Sequence, residues 1–246
     1  MISNDDTDAS IRQPHSDLDQ VPVHVALIMD GNGRWAIERG LDRSEGHAHG
    51  ASNLREIIAR FGAYGVKYVT LYAFSTENWG RPQNEVENIF EILLTSINSE
   101  LENLHEEGVK IIHLGDKATL PKEIAHAIIA SEQLTKNNSK ITLSVAFSYG
   151  GRSEIIQAIK KIVSEGIVSD DIDEKTFEKY LTTNGIPDPD IIVRTAGEMR
   201  VSNFLIWQSA YSEYYFTDVL WPDFGEKDVD LVIETFSTRN RRFGKS

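Results

Sequence analysis

The chain has 246 residues and no cysteine, with 25 Lys and Arg against 38 Asp and Glu for a net charge of −13 at pH 7. This length suits one α/β unit that can bury a core without staples, and the missing cysteine excludes disulfides, cysteine nucleophiles, iron–sulfur clusters and thiolate zinc sites. The acidic balance excludes a nonspecific grip on nucleic acid or anionic lipid, so any phosphate site must be a local cluster of Arg working against the global field.

Residues 1–20 hold five Asp and few large apolar groups. They are expected to form a disordered acidic tail with no signal-peptide core. No apolar run approaches the roughly 20 residues that span a bilayer, which predicts a cytoplasmic chain without stable membrane insertion. From there the pattern alternates. Val23–Met29 is a short apolar run, as expected of a strand buried on both faces. Helical spacing covers 48–64, and a second strand covers Val66–Phe74. A long amphipathic helix is predicted over 84–106, ending near Gly108. Further strands are predicted at Val109–Leu114, Ile141–Phe147, Ile191–Val193 and 214–217, with helices over 121–135, 152–164, 174–183, 203–209 and 226–240. The result is one mostly parallel six-stranded α/β sheet flanked by helices. Such sheets bind ligands beyond the carboxyl ends of their strands, and the polar, glycine-rich segments of this chain collect at that end.

Asp30-Gly31-Asn32-Gly33-Arg34 follows the first strand. Its glycines let backbone N–H groups approach an anion, and Arg34 offers a charged fork for phosphate. The alternative is a tight turn, though a hairpin does not fit the helical pattern that follows. A carboxylate among phosphate ligands implies a hard bridging cation such as Mg²⁺. Arg43 and His47 lie close by, and His47 is open to either a phosphate-donating or a structural role. Ser75, Thr76, Glu77, Asn78 and Arg81 form a donor-rich run in which Trp79 either meets apolar ligand or plugs the end of the sheet. Arg194, Arg200 and Ser202 form either a second anion site or a solvated loop. Asp170-Asp171-Ile172-Asp173-Glu174 reads as a solvated helix cap rather than a metal motif.

With these residues assembled, the segments HVALIMDGNGRWA, RGLDRSEGH, LYAFSTENWGRPQNEV, YGGRSEI and RTAGEMRVSNFLIWQSAYSEYYFTDVLWPDF, and a terminal RNRRFG, resemble the cis-prenyltransferases over roughly residues 22–244. The resemblance implies a catalytic domain over 21–246 that condenses isopentenyl diphosphate with an allylic diphosphate to make a long Z-polyprenyl diphosphate, the alternatives being a shorter Z-prenyl product or a noncatalytic partner subunit of the same fold. In that reading Asp30 holds Mg²⁺ on the allylic diphosphate, while Gly31, Asn32, Gly33, Arg34, Arg43 and His47 cradle it. Trp35 and Trp79 wall the prenyl group. Ser75, Thr76, Glu77, Asn78 and Arg81 close over the substrates, with Asn78 at the departing proton. Arg194, Arg200, Val201 and Ser202 clamp isopentenyl diphosphate. Glu213 matches a metal ligand that can come from the partner subunit of a homodimer. A hydrophobic tunnel is expected between the 84–106 helix and the second strand, with Ala73 on its wall and transient membrane contact serving product release. Asp42, Ala48-His49, Ser148 and Met199 depart from the family pattern, and the soft Met199 thioether is ill suited to Mg²⁺.

Overall fold

The computed structural model describes Leu18 and residues 20–239. The acidic tail expected over 1–20 therefore lies outside the described residues, except that Leu18 packs against the core and the Gln20 N–H meets Ser237 Oγ at 3.4 Å. Of the RNRRFG segment only Arg239 is described.

Six strands form one sheet: β1 His24–Ile28, β2 Tyr68–Ser75, β3 Val109–Leu114, β4 Ile141–Tyr149, β5 Ile191–Arg194 and β6 Glu213–Phe216. Their order is β3-β4-β2-β1-β5-β6, and every neighbouring pair is parallel, so the sheet is wholly rather than mostly parallel. β1 lies in the middle with all five residues buried. This explains its unbroken apolar run, since neither face meets water.

The helices are α1 Asn32–Glu38, α2 Arg43–Ser52, α3 Leu54–Ala63, α4 Gln83–Glu106, α5 Lys122–Thr135, α6 Gly151–Ser164, α7 Glu174–Glu178 and α8 Glu226–Thr238. On one face of the sheet, Val25, Leu27, Val69 and Val193 pack against Ile57, Ile58 and Phe61 of α3 and against Val229, Val232 and Ile233 of α8. On the other, Ala26, Ile28, Ile192 and Ala146 meet Phe204 and Leu205. Burial of each large side chain contributes about 1.5–3 kcal/mol, so this central slab dominates the driving force.

Three predicted helices differ, and the one expected over 174–183 is helical only as α7, Glu174–Glu178. The run over 48–64 is broken into α2 and α3 at Asn53. The Trp221 Nε1–H donates to the Gly50 carbonyl at 2.8 Å, and Asn53 Nδ2 donates to the Pro222 carbonyl. A carbonyl that would close the next helical turn is thus shared with a distant tryptophan. The stretch 203–209 consists of turns, because Ser202, Asn203 and Leu205 have φ of 46°, 65° and 45°, outside the right-handed helical region. Asp42 finds a physical reason in its capping box, where its backbone N–H donates to Glu45 Oε2 at 2.8 Å.

α4 covers the sheet differently from the other helices. It is 24 residues long, roughly 36 Å. Only Val86 and Leu104 are fully buried, while Ile89, Phe90, Leu93 and Leu94 are half-buried. Part of its apolar face packs on Phe74 and Phe147, and Ile89, Ile92, Leu93 and Leu101 also line a cavity.

His24 links β1 to the chemistry of pH. Its ring is buried, with Nδ1 2.6 Å from the Pro187 carbonyl and Nε2 2.8 Å from Thr70 Oγ1. Burial lowers its pKa to about 4, partly offset by the Pro187 carbonyl and Asp190. The folded value lies below the unfolded one of about 6.5, so its contribution is present above pH 6.5 and is lost as pH falls toward 4. That loss amounts to about 3 kcal/mol over the window. Urea unfolding of the wild type and of His24→Gln at pH 7 and pH 4 should show the variant losing less stability between the two. Equal losses would mean that His24 is protonated in the folded state at pH 4.

Candidate active site

The carboxyl ends of β1, β2, β4 and β5 converge on the mouth of a cavity of about 1280 Å³. Its apolar walls include Ile89, Ile92, Leu93 and Leu101 of α4, Leu71 and Ala73 of β2, Val145 and Phe147 of β4, and Ile58 of α3. β2 slips its register against β4 between Tyr72 and Phe74. The irregularity lets both Ala73 and Phe74 pack on the α4 side.

Asp30 stands two residues beyond β1, where its backbone is fixed from several directions. Its N–H donates to Thr195 Oγ1 at 2.9 Å, its carbonyl accepts from that hydroxyl at 2.7 Å, and the Trp221 N–H reaches the same carbonyl at 3.0 Å. Gly31 follows at φ 102°, and a Cβ there would come within 2.9 Å of both Ala196 Cβ and Leu220 Cδ2. Glycine is therefore required at this position by both conformation and space. The carboxylate stays about one-third exposed, accepting from the Gly31 N–H at 2.8 Å and from Arg194 Nη2 at 2.7 Å.

Arg194 is buried, with its side chain 5% exposed. Besides Asp30, its Nη1 donates to the Arg200 carbonyl at 2.5 Å and to Ser202 Oγ at 2.7 Å. The sequence placed Arg194 in a clamp facing ligand; the fold spends most of its donors inside the protein, although its Nε is buried without a partner among the described residues. Arg200 points outward and pairs with Glu198, which also faces Arg34 Nη2 at 3.8 Å. Arg34 Nη1 donates to the Ala196 carbonyl at 3.1 Å.

Asn32 and His47 meet across α1 and α2 at 3.4 Å, and Asn32 Oδ1 is buried without a hydrogen-bond partner among the described residues. Gly46 and Gly50 let α2 approach that closely, since a Cβ on either would strike Asn32. Arg43 lies over Gly33, its Nε 2.7 Å from where a Cβ would stand. Burial depresses the His47 pKa, and the cationic Arg81 and Arg43 push it further down against the opposing Glu85.

The segment after β2 forms a short 3₁₀ turn, Thr76–Gly80. Ser75 and Asn78 cap each other, with the Ser75 N–H on Asn78 Oδ1 at 2.9 Å and the Asn78 N–H on Ser75 Oγ at 3.2 Å. This leaves Nδ2 as the remaining donor of Asn78. Glu77 accepts from Asn203 Nδ2 at 2.8 Å and from Thr76 Oγ1 at 3.1 Å. Arg81 pairs with Glu85 at 2.8 Å.

The cavity lining thus brings together Asp30, Asn32, His47, Ser75, Glu77 and Asn78 with Arg81, Arg194, Arg200 and Ser202. Gly31, Gly33, Arg34, Arg43, Thr76 and Val201 lie beside or behind it, and the remaining three sit elsewhere. Trp35 is buried, donates Nε1 to Asp223 at 2.6 Å and packs against Arg39 and His49. Trp79 donates to Ser148 Oγ at 3.0 Å with its ring edge-on to Phe74 and Phe90, and it stays 40% exposed. Glu213 begins β6, where Ile191 pairs with both Val25 and Glu213. Glu213 is therefore level with Val25, about 16 Å down the strand direction from Asp30, at the other end of the sheet. It is held by Arg239 Nη1 at 3.0 Å.

Pattern reading missed three residues. Thr195 holds the backbone of Asp30. Asn203 reaches across to Glu77. Glu154 is a buried carboxylate accepting from Tyr149 Oη at 2.5 Å, the Thr182 N–H at 2.9 Å and Gln208 Nε2 at 3.0 Å. The left-handed Ser202-Asn203 pair carries no composition signal. A serine followed by an asparagine just after two arginines was the only available hint.

As for a cation, the described residues contain no cluster of three His, Cys, Asp or Glu side chains able to hold a metal. What they offer at the mouth is the hard, part-exposed carboxylate of Asp30, held by Arg194 at 2.7 Å. That donor set fits Mg²⁺, which is commonly held by one or two carboxylates together with substrate phosphate oxygens and water.

The undecaprenyl diphosphate synthase family matches residues 28–244. An isoprenyl transferase of Fusobacterium nucleatum is 51% identical over 224 residues, covering 91% of this chain and 96% of that protein. One from Clostridium perfringens is 46% identical over 230 residues, covering 92% and 91%. Among solved structures, the lavandulyl diphosphate synthase of Lavandula x intermedia in complex with dimethylallyl diphosphate superposes with a TM-score of 0.88 at 39% identity, covering 92% of this chain and 99% of that one. A probable undecaprenyl diphosphate synthase from Campylobacter jejuni superposes with a TM-score of 0.79 at 30% identity, covering 92% and 100%.

The depressed His47 pKa has a direct check. An imidazole titration by NMR should place its midpoint below the usual value of about 6.5, so that the ring is neutral at pH 7. Arg81→Ala removes a repelling cation and should move that midpoint upward. A midpoint at or above 6.5 in the wild type would contradict the electrostatics described.

Proposed function

Because the chain belongs to the undecaprenyl diphosphate synthase family of cis-prenyltransferases and is a prenyl transferase, we propose that it condenses isopentenyl diphosphate onto an allylic diphosphate in a Mg²⁺-dependent reaction. Farnesyl diphosphate is the favoured primer and a long Z-polyprenyl diphosphate of undecaprenyl length the product, a lipid-carrier precursor for cell-wall synthesis. The catalytic domain is taken as 21–246. The observation that carries this reading is Asp30, paired with Arg194 at the mouth of an apolar cavity of about 1280 Å³ that Arg81 and Arg200 also line. A charged head fits the mouth and a long hydrocarbon tail fits the walls. The lavandulyl enzyme, a relative by fold and sequence, was captured with an allylic diphosphate.

The chemistry follows from charge. The carbon–oxygen bond of the allylic diphosphate breaks, and the departing diphosphate keeps the electron pair. The alkene of isopentenyl diphosphate donates its π electrons to the allylic carbon, and a proton leaves the adjacent carbon to give a Z double bond. Arg34, Arg43 and the backbone N–H groups after Asp30 stabilise the departing charge more than the bound ground state, and this difference speeds the reaction. Arg200 and Ser202 hold the isopentenyl diphosphate. Arg194 acts from behind, fixing Asp30 and the 200–202 loop relative to each other. The Asn78 Nδ2 donor orients a diphosphate oxygen that takes the proton, as a neutral amide is too weak a base to take it alone. When bound, Mg²⁺ adds positive charge to the diphosphate oxygens, and Asp30 would hold it. Glu213 would reach that site only from a second copy of the chain, which is why we favour a homodimer.

No helix among the described residues is long and apolar enough to cross a membrane. The proposed setting is the cytoplasm, with product delivered by transient membrane contact, and the acidic net charge of −13 speaks against a role for nucleic acid. Each added isoprene buries five carbons, worth about 4 kcal/mol, so elongation stays favourable until the cavity is full.

Two measurements test this. Incubated with farnesyl diphosphate, labelled isopentenyl diphosphate and Mg²⁺, the wild type should make a long product, and Asp30→Ala should lose orders of magnitude in turnover while keeping its circular dichroism. Retention of about a tenth of wild-type turnover or more would remove Asp30 from the chemistry. Ala73→Leu narrows the cavity beside β2 and should shorten the products while sparing the first condensation. A wild-type product of only three or four units would sink the long-chain claim.

A further inference from the structure

Asn203 joins three elements at the mouth. Its Nδ2 donates to Glu77 Oε1 at 2.8 Å, on the Thr76–Gly80 turn. Its Oδ1 accepts from the Arg152 N–H at 2.9 Å, and its backbone carbonyl accepts from the Gly151 N–H at 2.8 Å, both in the first turn of α6. Its own backbone continues the 200–202 loop, which Arg194 ties to Asp30. Gly150 makes the junction possible, because a Cβ there would come within 2.8 Å of Asn203 Nδ2 and would also strike Thr76.

Ser202 and Asn203 are consecutive left-handed residues that are not glycine. Side chains rarely adopt this conformation, and asparagine is the side chain that tolerates it best. The loop is therefore held in a disfavoured shape that points one amide toward the turn and toward α6 at once. Hydrogen bonds to the Glu77 carboxylate, Asn203 among the donors, outweigh the opposing effect of burial and lower its pKa, so the acceptor carries its charge.

We propose that Asn203 is a positioning residue that couples the Arg200–Ser202 loop to the Thr76–Gly80 turn, so that the two walls of the cavity mouth are set together. The proposal rests on the reading above, in which the loop holds isopentenyl diphosphate and the turn, through Asn78, faces the departing proton. Through this link a diphosphate drawing on Arg200 and Ser202 also fixes the turn that carries Asn78. Asn78 is then set for the departing proton when the isopentenyl diphosphate head is held by the loop. A purely structural alternative is that Asn203 serves α6 alone.

Asn203→Asp separates the two. It keeps the acceptor for the Arg152 N–H and tolerates the left-handed backbone, but it sets a carboxylate against Glu77 where a donor stood. Adding Glu77→Gln restores a donor and acceptor pair in the opposite sense. Two readouts apply: amide hydrogen exchange across residues 76–81, which needs no substrate, and steady-state kinetics with farnesyl diphosphate and labelled isopentenyl diphosphate. Asn203→Asp should speed exchange in the turn and lower kcat/KM for isopentenyl diphosphate by about tenfold or more, with exchange in α6 unchanged. The combined variant should recover most of both losses relative to Asn203→Asp. Unchanged exchange in Asn203→Asp, or no recovery in the combined variant, would overturn the coupling. Should Asn203→Asp fail to fold, Glu77→Ala removes the same bond from the other side, and unaltered exchange in the turn would then count against the proposal. A wild type that incorporates no isopentenyl diphosphate would sink the functional reading instead, and the exchange measurement would still decide the coupling.

Discussion

A buried guanidinium governs this molecule. Arg194 ends β5 with almost no access to water, so it must be paired within the protein. A charge in that position is tolerable only when partners surround it. The partners it takes are Asp30 from the end of β1 and the Arg200–Ser202 loop. Its sequence neighbour Thr195 fixes the backbone of Asp30. Pairing of β1 with β5 therefore sets both the acid and the loop through one side chain, and the rest of the mouth is built around that fixed point.

The second organising constraint is the contrast between a dense core and a hollow beside it. The slab between β1, α3 and α8 is close-packed, with Val25, Ile57, Phe61, Val229 and Ile233 fully buried. α4 instead keeps most of its apolar side chains half-covered. A void of this size forgoes contacts that a filled core would make. Such a cost persists where an occupant restores the contacts, as a prenyl chain would.

Much of this was legible in the amino-acid pattern. β1 read clearly because burial on both faces leaves no polar alternation to confuse with anything else, and the α4 face read clearly because its length fixes its period. The place of the Asp30 to Arg34 run, between a strand and a helix, was legible because a hairpin does not fit the helical pattern that follows it. What stayed hidden depended on distant partners. Nothing near residue 53 says that Trp221 and Asn53 will break a helix, since the hydrogen bonds involved reach about 170 residues along the chain. The inward turn of Arg194 cannot be told from an outward one without knowing how deep β5 lies. The resemblance assigned Trp35 and Trp79 to a ligand wall; the indole N–H groups are in fact taken by Asp223 and Ser148, partners that local sequence does not announce.

The half-covered face of α4 also bears on what the folded state is. A helix whose inner surface is completed by a guest draws part of its stability from that guest. Anything bound only by the native form shifts the folding equilibrium by mass action, in proportion to the logarithm of its concentration over its dissociation constant. On the proposed reading the guest is a growing hydrocarbon tail, and each cycle would lengthen the surface against which α4 packs. The protein would then be softest when empty and firmest just before release, so that its rigidity keeps a running count of the units already joined.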